Sequence, residues 1–98
     1  MMLFIIYTED HADSLHIRQA NRDDHIAWLK TNYDSIKLLT AGPWLDDADV
    51  MRGSMLIVEA GSKSDVENWL LSDPYRKAGL TESVLIKKYI WAIGGPES

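Results

Sequence analysis

Two side chains in this sequence, His25 and Asp73, are of the types that move and steer protons. Asp73 lies in the polar stretch Ser72-Asp73-Pro74-Tyr75-Arg76-Lys77-Ala78-Gly79. Pro74 fixes its own φ and biases Asp73 away from the helical region, so a preceding helix should end close to Ser72 and the carboxylate should be held in one direction. That is what an orienting group requires, and the best candidate for it to orient is His25. An imidazole, with an ordinary pKa of about 6.5, is the natural proton shuttle near neutral pH. A carboxylate accepting its second ring N–H would fix the tautomer and raise its basicity. Such a pair suits proton abstraction or delivery on a small polar molecule, as in isomerisation, elimination or hydrolysis.

Each of these residues also has a plainer use. His25 precedes Ile26 and lies one turn before Leu29, so it can flank an apolar stripe, and an aspartate ahead of a proline is common at a helix-ending turn. Arg18 and Arg22 are four apart on one expected helical face, where they can hold a carboxylate or phenolate oxygen as a fork of donors, or simply form a solvated face or pair with nearby acids. Tyr75 can donate to a ligand or pack its ring. Thr40, Gly42 and Ser54 can line a pocket between sheet and helix, although Gly42-Pro43 is equally explained as a turn.

Other chemistries find less support. His11, His16 and His25 with Asp10 and Asp13 match no HExxH or comparable spacing, so no metal is expected. Ser54 lacks a G-x-S-x-G setting, Gly94-Gly95 is not a phosphate loop, and no cofactor motif is present, so no cofactor is expected. The absence of cysteine excludes disulfide, zinc-thiolate, iron–sulfur and cysteine-nucleophile chemistry.

The elements that must position these groups follow from patterning. Residues 2–7 are a continuous apolar run rich in strand formers. A helical region spans 14–33, as a short piece and a longer one capped by Asn21, with Ile26, Leu29 and Tyr33 on its apolar stripe. Asp23 and Asp24 sit in the first turn of the second piece, where the helix dipole favours negative charge. A short strand over 38–41 closes at Gly42-Pro43, an acidic loop runs over 44–52, and a third strand spans 54–59. Residues 62–71 form a helix with two possible capping boxes, Ser62 with Asp65 and Ser64 with Glu67. A fourth strand covers 83–91, ahead of a loose tail at 94–98.

The order strand, helix, strand, strand, helix, strand is the split βαβ pattern of an α+β, ferredoxin-like sandwich. Its strands are apolar on both faces: Phe4 and Ile6 oppose Leu3, Ile5 and Tyr7, while Leu56 and Val58 oppose Met55 and Ile57. Two helices cover one face, so a second copy of the chain should cover the other, as a homodimer packed sheet to sheet in a dimeric α+β barrel. At 98 residues a lone chain has a small core, which a dimer enlarges.

The formal net charge is −5 with basic residues scattered, which argues against a nucleic-acid partner. The apolar N-terminus lacks a basic region and a cleavage pattern, and no stretch approaches the roughly 20 apolar residues of a membrane span, so no membrane association and a cytoplasmic location are expected.

The run Asp13-Ser14-Leu15 with Arg18, Arg22 and His25, then Leu38-Leu39-Thr40-Ala41-Gly42-Pro43, Gly53-Ser54, and Asp73-Pro74-Tyr75 with Ala78-Gly79 resembles the YciI-like (YCII-related) family in register over nearly the whole chain. The resemblance implies a single domain over 1–93, a ferredoxin-like fold, a dimeric α+β barrel, and an active site centred on a histidine and an aspartate, which fall on His25 and Asp73. Relatives in the family include a dehydrochlorinase of chlorinated hydroxyquinols. The sequence departs from the family at Asp34-Ser35-Ile36, where a glycine is usual, and in a shorter loop over 44–52.

The reading is a small-molecule enzyme of lyase, isomerase or hydrolase type, with His25 as general acid/base, Asp73 orienting it, and Arg22, Arg18, Tyr75, Thr40, Gly42 and Ser54 around an unidentified small-molecule ligand. Its rival is a non-catalytic ligand-binding or accessory dimer using the same pocket. A quinol- or haem-type monooxygenase would need a cofactor motif that the sequence lacks.

Overall fold

The apolar runs pair into one antiparallel sheet, described in a computed structural model covering residues 2–95. Strand β1 (Met2–Asp10) is followed by helices α1 (Leu15–Ala20) and α2 (Arg22–Lys30), strands β2 (Ile36–Leu45) and β3 (Met51–Ala60), helices α3 (Lys63–Leu70) and α4 (Pro74–Lys77), and strand β4 (Thr81–Tyr89). The sheet order is β2-β3-β1-β4, with every neighbouring pair antiparallel, so the first and last strands of each half are separated by a strand of the other half. This is the α+β, ferredoxin-like arrangement expected from the element order. The expected tail begins within the described residues at Gly94, while Pro96, Glu97 and Ser98 lie outside them.

Strand periodicity sends alternate residues to opposite faces. Phe4, Ile6 and Thr8 on β1 pair with Val58, Leu56 and Ser54 on β3. Phe4, Ile6, Leu56 and Val58 form the inner core with Trp28 of α2 and Val66, Trp69 and Leu70 of α3. The other face carries Leu3, Ile5, Tyr7, Met55 and Ile57, joined by Leu85 through its pairing with Tyr7. No helix among the described residues is long and apolar enough to cross a membrane.

Several boundaries differ from expectation for local physical reasons. β2 runs through Gly42-Pro43 as far as Leu45, because it is an edge strand and Pro43 there withholds no hydrogen bond from a central ladder. The acidic loop therefore shrinks to residues 46–50, where Asp46 accepts the backbone N–H groups of Ala48 and Val50 and pairs with Arg52. Trp44 lies on the outer sheet face, stacked on Tyr7 with ring centroids 5.4 Å apart, and donates to the Thr8 carbonyl.

The break between α1 and α2 falls at Asn21, but its side chain does not cap α2. Asn21 Nδ2 donates back to the Ile17 carbonyl, and the cap is made by backbone alone. Of the two possible boxes on α3, the Ser62 cap forms, accepting the Asp65 N–H at 3.1 Å.

Candidate functional site

Residues 72–79 hold more structure than a turn. Asp73 adopts φ −62° and ψ 122°, the extended conformation forced on a residue before proline, and Pro74 occupies the first position of the short helix α4. The Asp73 side chain caps that helix by accepting the Tyr75 N–H at 2.9 Å. At the other end the Leu80 N–H bonds to the Tyr75 carbonyl and the Gly79 N–H to the Arg76 carbonyl. Gly79 sits at φ +80°, the left-handed residue this double closure requires. With Leu80 fully buried, the segment is pinned at both ends and its carboxylate is fixed by local geometry.

α2 presents His25 and Trp28 to the interior, while Ile26 and Leu29 are half-buried. This helix is rotated relative to the stripe of Ile26, Leu29 and Tyr33. The reason is polar: Trp28 Nε1 donates to Ser72 Oγ at 2.9 Å, and His25 Nδ1 lies 2.8 Å from Asp73 Oδ1. Because Asp73 Oδ1 already accepts a backbone N–H, we write the imidazole bond with Nδ1 donating, which leaves Nε2 with a free lone pair in the neutral ring. Both side chains are nearly buried, at 8 and 11 % exposure.

The Tyr75 ring stacks on the imidazole with centroids 3.8 Å apart and planes 12° from parallel. The guanidinium carbon of Arg18 sits over the same ring at 4.7 Å from its centroid. Burial pushes the Tyr75 phenol above its ordinary pKa, against the pull of the Arg18 charge.

Arg18 itself is buried and pairs with an acid, as its plainer reading allowed, and the acid is Asp10. Asp10 at the end of β1 accepts from Nε and Nη2 at 2.8 and 2.9 Å, a two-point pair whose side chains are 4 and 5 % exposed. Nη2 also donates to Ser54 Oγ at 3.0 Å. An acid closing a strand and an arginine in the first following helix are the sequence signal for this pair, which a metal reading of Asp10 with the histidines does not use. Among the described residues no cluster of three or more metal-ligating side chains forms.

These groups meet around a cavity of about 260 Å³. Its polar edge is Arg18, Arg22, His25, Ser54 and Tyr75, and its apolar walls include Ile26, Leu29, Met51 and Leu56. Gly42 and Pro43 also border it. Thr40 does not: it pairs with Ile57 on the outer face, and the next residue, Ala41, reaches the cavity, as strand alternation dictates. Arg18 and Arg22 do not share one helical face, since they lie on α1 and α2 on either side of Asn21, yet both border the cavity. Of the two, Arg22 is exposed and Arg18 is held by Asp10 and Ser54.

Chemically, the cavity can take one small ring against its apolar walls, with an acceptor nitrogen, a cation and hydroxyl groups at its edge. A larger groove of about 430 Å³ between α3 and β4 offers the exposed Arg76 and the hydroxyls of Thr81 and Ser83, but no histidine borders it.

The profile of the YCII-related domain matches residues 2–90. The chain is 39 % identical over 94 residues to protein YciI of Escherichia coli, covering 90 % of this chain and 96 % of that protein. Among solved structures it is similar to 5-chloro-2-hydroxyhydroquinone dehydrochlorinase (TftG) of Burkholderia phenoliruptrix in complex with 2,5-dihydroxybenzoquinone, with a TM-score of 0.78 and 36 % identity over 91 % of this chain and 94 % of that one. A dimeric ferredoxin-like protein of unknown function from Bacteroides fragilis shares the fold, at a TM-score of 0.54 and 15 % identity over 90 % of this chain and 93 % of that one.

Proposed function

The chain belongs to the YCII-related family, and from that membership and the geometry of the cavity we propose that it is a cytoplasmic small-molecule enzyme in which His25 is the general acid/base. The observation that carries this reading is the 2.8 Å contact of His25 Nδ1 with Asp73 Oδ1 at the edge of a ring-sized cavity. Asp73 orients the imidazole and holds the proton on Nδ1, so Nε2 is the atom that takes a proton from the substrate or returns one. The aspartate is a positioning residue, and its own direction is set by Pro74 and by the Tyr75 N–H.

The substrate is a small hydroxylated or anionic ring. The solved relative TftG acts on a chlorinated hydroxyhydroquinone and binds a dihydroxyquinone, and the apolar walls with a polar edge in this chain suit compounds of that kind. Proton transfer by His25 would serve elimination or isomerisation of such a ring. Arg22, exposed at the cavity edge, balances the charge of an ionised ring oxygen.

The working form is a homodimer. The outer sheet face supports this, since Leu85 is 50 % and Met55 38 % exposed beside Leu3, Ile5 and Tyr7. This apolar patch, bordered by Glu59 and Lys87 where they pair with Leu3 and Ile5, is what a second copy of the chain covers.

A screen of halogenated hydroxyquinols, lactones and thioesters tests the proposal. Turnover that disappears in His25→Ala while ligand affinity persists supports the acid/base role. No turnover by the wild type, with a ligand retained through purification, would support the non-catalytic alternative instead.

A further inference from the structure

The geometry points to Ser54 as the hydrogen-bond donor that selects an acceptor oxygen on the ligand, with the buried Asp10–Arg18 pair as the device that positions it. This rests on the reading of the cavity as the substrate site.

A serine hydroxyl has one hydrogen to give and two lone pairs to offer, whereas a guanidinium only donates. Arg18 Nη2, 3.0 Å away, therefore occupies a lone pair of Ser54 Oγ. Asp10 takes the Nε hydrogen and one of the two on Nη2, fixing the guanidinium plane so that the second Nη2 hydrogen meets Ser54. The Ser54 backbone is fixed as well, its N–H donating to Thr8 Oγ1 at 3.0 Å. Among the described residues no group accepts the Ser54 hydroxyl hydrogen. Ser54 is 5 % exposed and borders the cavity, so that hydrogen is left for whatever the cavity holds.

The polarity cannot invert, because arginine does not lose its proton in proteins. Nor is Ser54 arranged as a nucleophile, since a nucleophile needs a base to accept its hydrogen and none of the described residues does so. What remains is a pre-aimed donor, polarised by the guanidinium of a buried ion pair, the arrangement that stabilises a carbonyl or phenolate oxygen. The ligand class is a single ring bearing such an oxygen. Recognition is by difference: a ring lacking the acceptor leaves the buried Ser54 hydroxyl hydrogen unpaired.

The test compares 4-nitrophenol, ionised at mildly alkaline pH, with 4-nitroanisole, its methyl ether, as titrants of the wild type, Ser54→Ala, Ser54→Thr and Asp10→Asn. The wild type should bind the phenolate at least about tenfold more tightly than the ether. Ser54→Ala should lose about tenfold in phenolate affinity and little in ether affinity, and Ser54→Thr, which keeps the hydroxyl, should recover most of that loss. Asp10→Asn should narrow the phenolate-to-ether ratio without changing ether affinity, which a purely structural role for the pair would not do. Circular dichroism of each variant should match the wild type. Equal losses for both titrants in Ser54→Ala, or no loss for either, overturn the donor assignment while leaving the cavity reading standing. Failure of the wild type to bind either compound overturns the donor assignment and the ring-binding reading together.

Discussion

The imidazole of His25 and the phenol ring of Tyr75 lie face to face with centroids 3.8 Å apart, and the two residues share one acceptor, Asp73 Oδ1. His25 reaches that oxygen through a ring nitrogen and Tyr75 through its backbone N–H. The stack therefore does two things: it limits rotation of the imidazole about its ring plane, and it ties that orientation to the start of α4. The orienting group proposed for the site is part of a helix cap, so its position is maintained by the fold and not by substrate.

Tyr75 should resist ionisation. Burial raises its pKa above the ordinary 10.0, the Asp73 and Asp10 charges push the same way, and Arg18 and Arg22 oppose them. A raised pKa in the folded state means that the native form holds this proton more tightly than the unfolded one. The contribution is complete below pH 10.0 and is lost as the pH climbs through the native value. Tyrosinate absorbance should show one phenol titrating later than its ordinary value, and Tyr75→Phe should remove that late step. A Tyr75 that titrates at or below 10.0 contradicts this.

Asp46 behaves in the opposite sense at the far end of β2. The Arg52 hydrogen bond, then the N–H groups of Val50 and Ala48, hold its carboxyl below the usual value of 3.8. Its contribution is present above that value and fades as the pH falls through the lower native one. Following the Asp46 carboxyl carbon by NMR, Arg52→Ala should move the midpoint up toward 3.8. An unchanged midpoint would show that the turn backbone alone sets it.

Ser72→Ala should cost about 1–3 kcal/mol in denaturant unfolding. Ser72 Oγ accepts the Trp28 Nε1–H at 2.9 Å and donates to the Trp69 carbonyl at 2.8 Å, and Trp28 is only 6 % exposed. Without the hydroxyl the indole N–H is buried unpaired, and α2, which carries His25, loses a tie to the segment that carries Asp73. A stability equal to wild type would mean that water replaces the serine.

Leu85→Arg should yield a folded monomer. The residue is half exposed on the outer face of edge strand β4, beside Tyr7, so a charge there disturbs the proposed sheet-to-sheet contact without entering the inner core. Sedimentation should give the mass of a dimer for the wild type and of a monomer for the variant. A monomeric wild type at micromolar concentration contradicts the dimer.

Much of the fold was legible because its signals are local or periodic. The apolar runs identify the strands, Pro74 dictates the conformation of Asp73, and Ser62 with Asp65 marks the start of α3. What was not legible depends on contacts distant in sequence. Nothing near Gly42-Pro43 tells that β2 is an edge strand able to carry proline through to Leu45. Gly53 is glycine for a similar reason: a Cβ there would run into the Thr8 carbonyl oxygen and the Trp44 indole, which crosses from the neighbouring strand. In the site, the family resemblance and the proline pointed to His25 and Asp73. The Asp10–Arg18–Ser54 chain emerged only from folding, because a buried arginine takes whichever acid the strand end supplies. Thr40 lies one residue from Ala41, which borders the cavity, and in a strand one residue is the difference between the two faces.

The most direct measurement of the central claim is the turnover of a ring substrate accepted by the wild type, set against the affinity of His25→Ala for the same compound. A general acid/base contributes about a hundredfold or more to rate, so kcat in His25→Ala should fall by at least that factor while binding changes little. Turnover by His25→Ala at the wild-type rate would contradict the account.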